Sequence, residues 1–430
     1  MLSTVKERLE RARKFGAHIY EIFAYERRIP KRVVNSRAFC SVTLLRDRIR
    51  HALKNDRPDS ETIYLHLPSF PQRYLYLVLY FFGRLGAPMK LIRRERLDRY
   101  RRLLPEGRLI YKMPNLKVVQ PPKHRVRARM FVGEDLAAMP VEGIEREIRI
   151  SPDVSEPRGE GSMMMPYPAF PLHYHDGRMA TLGAYRALRR RVRVFFAGAT
   201  WHYRGRGHAV DQLFGKQPRL DALVAMQKRL DPDQVLKIDA PQDRRAILQG
   251  EGMDRRYVRK LLLSTAKGRP EDWLCELART DFFVSLSGIK MPICHNAIEA
   301  MAVGSIPILS CPAWFSPHLE HGHNCLVYDG EDGLIAALRQ ALNMDAARVA
   351  EMRENAARYY DDYLSPDRFM SRLMTCPVED LTLYVNCELR DIFSRVRDDS
   401  ILFSGEAHRC PPTTGRTTER PSSTTSPHPL

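Results

Sequence analysis

The sequence has no apolar run long enough to cross a membrane and no pair of cysteines at metal-binding spacing. Its most apolar run, Tyr74 to Phe82, is far shorter than the roughly 20 residues that a membrane-spanning helix needs. The eight cysteines include no CxxC pair, so neither a zinc site nor a disulfide framework is predicted. The N-terminus, MLSTVKERLERARKFG, has the pattern of a charged helix rather than of a signal peptide. We therefore expect a cytoplasmic protein without a bound metal.

Basic residues outnumber acidic residues in this sequence. The chain has 69 Lys and Arg against 51 Asp and Glu, a formal net charge of +18. This excess favours an anionic partner, and nucleoside diphosphates, anionic membrane surfaces and nucleic acid all qualify. The basic runs at 84–102, 123–129 and 186–193 do not form the stripe of cations and stacking aromatic residues that single-stranded nucleic acid prefers, so no nucleic-acid partner is expected. A peripheral contact with the inner face of a membrane remains compatible with the charge.

The length of 430 residues exceeds one ordinary hydrophobic core, which predicts two domains of roughly 180 to 200 residues. Short apolar runs predict strands at 89–92, 108–111, 235–238 and 306–309, among others. Such strands alternate with helix patterns in both halves, as is typical of α/β proteins with parallel sheets. We expect an N-terminal acceptor-side domain at 1–180 and a C-terminal ligand-binding domain at 190–375. A helical segment at 376–404 and a tail at 405–430 follow. The tail, rich in Pro, Ser and Thr, is predicted to be disordered.

The stretch from Asp281 to Ser310, DFFVSLSGIKMPICHNAIEAMAVGSIPILS, has the pattern of a strand, a loop, a helix and a second strand. Two short buried strands joined through a helix indicate a parallel sheet, whose ligands lie beyond the carboxyl ends of the strands. Gly288 falls at that end, where a residue without a side chain lets a ligand approach the backbone. Lys290 adds positive charge beside a helix start, and both features suit a diphosphate.

His295 and Glu299 are four residues apart and share one face of the predicted helix. A carboxylate at this place can accept hydrogen bonds from the two hydroxyl groups of a ribose. The alternative is that Glu299 is a solvated helix residue and His295 a capping or surface histidine, and the spacing alone supports both equally.

Further cations follow the apolar run VRVFFAG, which predicts the first strand of the second domain. Arg204, Arg206, Lys216 and Arg219 lie in the glycine-rich, basic segment after it, and they can neutralise a diphosphate. The alternative, that most of them are surface charges, also fits the pattern.

Residues 151–177 contain several prolines and glycines and predict a long loop between the domains. His173, His175 and Asp176 lie near its end. An imidazole suits proton transfer near neutral pH, so these residues are candidates for the base that deprotonates an acceptor. A polar turn without a catalytic role is the alternative, and the pattern alone favours it.

The series DFFVSLSG, HNAIEAMAVGSIPILS, PHLEHGHNCLVYDGEDGLIAAL and MRENAARYYDDYLSP resembles the C-terminal half of glycosyltransferases of the two-domain GT-B fold. It is most similar to the exostosin family, and it has a more general likeness to the large family of bacterial retaining glycosyltransferases. The resemblance implies two Rossmann-like domains with an interdomain cleft, and transfer of a sugar from a nucleoside diphosphate to a hydroxyl acceptor, such as a glycan, a polysaccharide or a lipid-linked sugar. It further implies that Glu299 binds the ribose, that the helix start faces the diphosphate, and that no cofactor is needed.

Two departures from the family patterns bear on the mechanism. The exostosin pattern has an arginine where this chain has His295, and the retaining families have a further glutamate near the position of Met291. The second departure favours inversion at the anomeric carbon.

Two other functions fit parts of the sequence. A sugar-nucleotide epimerase of the same fold would bind the donor without an acceptor and would release the epimerised donor. A basic nucleic-acid-binding protein would explain the charge but not Glu299, and its binding would be sensitive to salt and unaffected by nucleoside diphosphates.

Overall fold

The computed structural model of the protein describes residues 58–93, 105–198, 210, 213–250, 259–266 and 268–403. The strands of this part of the chain are β1 (Ile63–His66), β2 (Met89–Ile92), β3 (Leu116–Val119), β4 (Val126–Gly133), β5 (Val141–Ser151), β6 (Ser162–Met164), β7 (Val192–Ala197), β8 (Val235–Ile238), β9 (Leu261–Ser264), β10 (Thr280–Val284), β11 (Ile306–Leu309), β12 (Leu326–Val327) and β13 (Leu381–Tyr384).

Helices follow most of the strands. They are α1 (Gln72–Gly83), α2 (Pro105–Lys112), α3 (Pro171–His175), α4 (Leu182–Arg186), α5 (Arg219–Arg229), α6 (Pro241–Gln249), α7 (Trp273–Ala278), α8 (His295–Ala302), α9 (Gly330–Asn343), α10 (Ala346–Tyr359), α11 (Pro366–Thr375) and α12 (Arg390–Phe393).

The first domain contains a seven-stranded sheet in the order β3-β2-β1-β4-β5-β13-β6. Its named strands pair in parallel. All four residues of β1 are buried, as expected for a central strand covered on both faces. The strand order changes direction between β1 and β4, and such a switch point opens a crevice at the carboxyl ends of the strands.

The second domain contains a six-stranded parallel sheet in the order β12-β11-β10-β7-β9-β8. The six residues of β7 are all buried, which explains the continuous apolar pattern of VRVFFA. On one side of β7 lies β9, followed by β8 at the edge, and on the other side β10, β11 and β12 follow in chain order. The switch point therefore lies between β7 and β10, and the loop from β10 to α8 leaves the sheet there.

One hydrophobic cluster joins the two domains. It contains Leu75 and Phe82 of α1 in the first domain and Ile298 and Met301 of α8 in the second. The same cluster continues through Phe369 of α11, a helix that packs on α1. Two parallel-sheet α/β domains thus share apolar packing around the helices that start at both switch points.

Several local predictions are corrected by the structure. Residues 108–111 were expected to form a strand and belong to α2, because a four-residue apolar run does not distinguish a strand from a helix. The predicted loop at 151–177 contains β6 and α3. The predicted helical segment at 376–404 instead begins with β13, whose Leu-Thr-Leu-Tyr alternation suits a strand, and this strand lies between β5 and β6 in the first sheet.

Some predictions fall outside the described residues, namely those for 1–57 and for the tail at 405–430. In the described ranges, no helix has both the length and the apolar character to cross a membrane. No three His, Cys, Asp or Glu side chains of those ranges are grouped as metal ligands.

Candidate donor site at the carboxyl edge of the second sheet

A cavity of about 410 Å³ lies at the carboxyl edge of the second sheet, next to its switch point. Strand β7 contributes its last residue, the loop after β9 forms one wall, and the first turns of α8 form another. A segment between the two sheets covers part of it. The lining residues are Phe170, His173, Ala197, Gly198, Arg244, Thr265, Ala266, Gly268, Arg269, Pro270, Trp273, His295, Asn296 and Glu299.

Arg244 is buried beneath the loop that follows β9 and holds this loop in place. Its guanidinium pairs with Glu276 at 3.1 Å and donates to the carbonyl oxygen of Ala266 at 2.9 Å. Burial raises the pKa of Glu276, and the charge of Arg244 opposes this change. The backbone of Gly268 lies so close to this pair that a Cβ atom would be 1.7 Å from Nη2 of Arg244. A side chain at position 268 would therefore press on the guanidinium of the ion pair.

Glu299 is fully buried beneath the cavity, and its two carboxylate oxygens have separate partners. Oε1 accepts a hydrogen bond from the backbone N–H of Phe170 at 2.8 Å, and Oε2 accepts one from the indole N–H of Trp273 at 2.5 Å. Burial raises the pKa of Glu299 to about 7, although both hydrogen bonds lower it. The carboxylate thus fastens the segment between the sheets to the second domain, and each oxygen keeps a further acceptor site.

Two histidines flank this carboxylate. Nε2 of His173 lies 3.6 Å from Oε1 of Glu299, and burial followed by the charge of Arg178 lowers the pKa of His173 to about 4. Burial and the charge of Arg73 lower the pKa of His295 as well. Both imidazoles are consequently neutral at pH 7, and each offers one donor and one acceptor rather than a positive charge.

Arg73 links the first domain to this site. It lies in the first turn of α1, and its Nη2 is 3.1 Å from Nδ1 of His295. Its guanidinium also lies 5.4 Å from the centre of the Phe170 ring, within the range of a cation–π contact. The switch points of the two sheets therefore face each other across Arg73 and His295.

The predicted diphosphate ligands lie apart from the cavity. The N–H of Gly288 donates to the carbonyl oxygen of Met291 at 2.9 Å, and a Cβ atom at Gly288 would lie 2.8 Å from that oxygen. Lys290 is exposed and donates to the carbonyl oxygen of Glu388 at 3.4 Å. Lys216 pairs with Asp329 at 3.0 Å. Arg219 is buried outside the cavity lining and donates to the carbonyl oxygens of Leu286 and Ser287, each at 3.2 Å.

Arg204 and Arg206 lie outside the described residues. Among the predicted donor ligands that are described, the structure brings His295 and Glu299 to the cavity. Gly288, Lys290 and Lys216 are not part of its lining.

The three residues predicted as acceptor-side bases lie in different surroundings. His173 and His175 belong to α3, and Asp176 caps that helix. His173 lines the cavity, whereas the His175 ring lies 6.5 Å from the ring of Tyr76 in the first domain. Asp176 is exposed and pairs with Arg178 at 2.5 Å. Their assignment as bases stays a prediction.

Sequence reasoning missed Arg73, Arg244, Gly268, Arg269 and Trp273. One signal could have located Gly268, Arg269 and Trp273. The apolar run Leu261 to Leu263 is followed by small residues and a glycine, the same pattern that marked β7 and Gly198. Arg73 and Arg244 lie on helices with no motif around them. Only the folded chain shows that these two arginines reach the site.

No protein-family model matches the chain, and no curated protein matches it. Among solved structures, the chain is similar to Anabaena Alr3699/HepE in complex with UDP and glucose, with 12% identity and a TM-score of 0.39 over 73% of this chain and 99% of that chain. It is similar to an alpha-glucosyltransferase in complex with UDP, with 8% identity and a TM-score of 0.35 over 74% and 100% of the two chains. It is also similar to Arabidopsis thaliana UGT89C1 complexed with UDP, with 9% identity and a TM-score of 0.32 over 73% and 99%. At these TM-scores the likenesses carry no argument about this chain, and the resemblance to exostosins stays a prediction.

Proposed function

We propose that the protein is a glycosyltransferase that moves a sugar from a nucleoside diphosphate to a hydroxyl acceptor. The observation that carries the proposal is the cavity at the switch point of the second sheet, with Glu299 and His295 in its wall. In open parallel sheets, ligands bind at this place. The motif series that resembles exostosins spans the same elements, from β10 through α10.

The donor would lie with its nucleoside in the cavity and its diphosphate toward the start of α8. A carboxylate with free acceptor positions at Glu299 suits the paired hydroxyl groups of a ribose. Arg269 at the rim, Arg73 and Lys290 are cations that can balance the charge of the leaving diphosphate. The predicted roles of Gly288, His295, Arg204, Arg206 and Lys216 belong to the same proposal.

The acceptor would lie in the predicted cleft, against the carboxyl edge of the first sheet. Inversion requires a base on that side, and His173, His175 and Asp176 are the candidates that the sequence predicts. A glycan or a lipid-linked sugar is the proposed acceptor class, and the excess positive charge suits an anionic membrane surface near it.

The test is turnover of sugars carried by uridine or guanosine diphosphate, offered with a panel of oligosaccharides. We expect release of the nucleoside diphosphate and a new glycosidic linkage, whose anomeric configuration NMR would identify. A matched variant, Ala266→Phe, places a large side chain in the cavity and should abolish release, whereas Ala184→Phe changes an exposed residue outside the cavity and should not. Epimerised donor without transfer would instead identify an epimerase.

A further inference from the structure

The turn after β13 is held in an unusual backbone conformation at a glutamate. Glu388 has a φ of 53°, and it is the only non-glycine residue with positive φ in the described ranges. Such a conformation is unfavourable for a residue with a side chain and persists where the surroundings hold it. Here the N–H of Glu388 donates to Oδ1 of Asn386 at 3.0 Å, and Asn386 is itself buried.

Two buried phenols surround the Glu388 carboxylate. The hydroxyl group of Tyr167 donates to Oε1 at 2.5 Å. Burial raises the pKa of Tyr167, and the neighbouring Tyr74 phenol and Glu388 carboxylate raise it further. The pKa of Tyr74 is raised by burial and by Glu388 in the same way. Both phenols therefore stay protonated, and the carboxylate is oriented by a neutral donor. No cation pairs with it among the residues that the structure describes.

The turn lies where the two domains face each other. It leaves the carboxyl end of β13 in the first sheet, the side on which the acceptor is proposed to lie. From the second domain, Lys290 donates to the carbonyl oxygen of Glu388 at 3.4 Å, and Met291 Sδ accepts from Asn386 Nδ2 at 3.5 Å. Glu388 is thus adjacent to the loop that precedes α8, the predicted place of the donor diphosphate.

We propose that Glu388 is the carboxylate that deprotonates the acceptor hydroxyl, an assignment that rests on the proposed function. The acceptor oxygen forms a bond to the anomeric carbon of the donor sugar while its proton passes to a carboxylate oxygen of Glu388. The bond from the anomeric carbon to the diphosphate oxygen breaks, and the nucleoside diphosphate leaves with the electron pair. Tyr167 is a positioning residue that holds the carboxylate through its hydroxyl group.

This assignment differs from the bases that the sequence predicts. His173 is 2% exposed and faces Glu299, whereas Glu388 is only partly buried and keeps an oxygen that Tyr167 does not occupy. Asp176 is already paired with Arg178.

The experiment compares three variants with the parent, using a nucleoside diphosphate sugar that the parent turns over. Glu388→Gln keeps the size of the side chain and removes the base. Glu388→Gly removes the side chain and relieves the left-handed strain, which offsets the loss of the Tyr167 hydrogen bond, so its unfolding midpoint should stay near that of the parent. Asp391→Asn is the control, because it removes an exposed carboxylate three residues away.

We expect both Glu388 variants to lose transfer by about a hundred- to ten-thousandfold with unchanged donor affinity, since a base of this kind contributes that much. Added formate should restore part of the rate in Glu388→Gly only. A purely structural residue would not respond to formate. Asp391→Asn should match the parent.

Transfer by both variants within a few-fold of the parent would overturn this assignment and leave the proposed function intact. A folded parent that binds and turns over no nucleoside diphosphate sugar would overturn the proposed function, and the assignment of Glu388 with it.

Discussion

The carboxylate of Glu299 accepts a hydrogen bond from the backbone N–H of Phe170 at 2.8 Å, across 129 positions of the sequence. This contact fixes the segment between the two sheets against the first turns of α8. The carboxylate that the sequence predicts for the ribose therefore also has a structural partner. Its substitution should affect both stability and ligand binding.

Glu299→Gln should lower the free energy of unfolding at neutral pH by about 1–3 kcal/mol, because the amide offers only one oxygen to two N–H donors, at Phe170 and Trp273. If Glu299 also binds the donor, affinity should fall about tenfold to a hundredfold as a charge-assisted hydrogen bond is lost. Urea unfolding and calorimetric binding measure the two effects separately. Glu354→Gln, on the exposed face of α10, is the control. Unchanged donor affinity in the folded variant would remove Glu299 from the donor site.

The pH dependence of stability should carry opposite contributions from Glu299 and His173. The pKa of Glu299 is raised to about 7 in the folded protein, compared with about 4.3 in the unfolded chain. Its contribution to the free energy of unfolding therefore falls as pH rises between these two values. The pKa of His173 is lowered to about 4 in the folded protein, compared with about 6.5 in the unfolded chain. Its contribution to the free energy of unfolding therefore grows as pH rises between these two values. His173→Asn should therefore flatten the rise in stability between these values, and Glu299→Gln should steepen it. Urea titrations at several pH values measure both, and changes of the same sign in the two variants would contradict the account.

Gly268 and Arg244 should be energetically coupled. Gly268→Ala places a Cβ atom 1.7 Å from Nη2 of Arg244, and overpacking of this kind costs about 1–3 kcal/mol. Arg244→Met removes the guanidinium atom that the new Cβ would meet. This substitution alone should lower the free energy of unfolding by about 3–5 kcal/mol, because it leaves Glu276 buried without its partner. A double-mutant cycle should then give a smaller penalty for Gly268→Ala in the Arg244→Met background. Equal penalties in both backgrounds would show that the close approach is not the cause.

The sequence predicted those elements of the fold that depend on local patterns. The strands at 89–92, 235–238 and 306–309 have the predicted bounds, since each is a short apolar run between turn residues. The same criterion failed at 108–111, where α2 carries an equally short apolar run. It also missed the place of β13 in the first sheet, because strand order depends on packing between distant parts of the chain.

The candidate site was predictable only in part. Glu299 and His295 follow a strand at helical spacing, and that local pattern sufficed to place them at the carboxyl edge of a sheet. Arg244 lies beneath the site through a pair with Glu276, and Arg73 reaches it from the first domain. Glu388 is identified by a backbone angle and by its neighbours in space. Contacts of this kind join residues that are far apart in the sequence, so no regular spacing predicts them.

The most direct measurement of the central claim is binding of nucleoside diphosphates to the parent and to Ala266→Phe. A ligand at a hundredfold its dissociation constant stabilises the native state by about 2.7 kcal/mol, which should raise the melting temperature by roughly a few degrees. We predict this shift in the parent and in the surface control Ala184→Phe, and its loss in Ala266→Phe, whose larger side chain occupies the cavity. A folded parent whose melting temperature does not change with any uridine or guanosine diphosphate, or a shift that Ala266→Phe retains in full, would contradict the assignment of the cavity as the donor site.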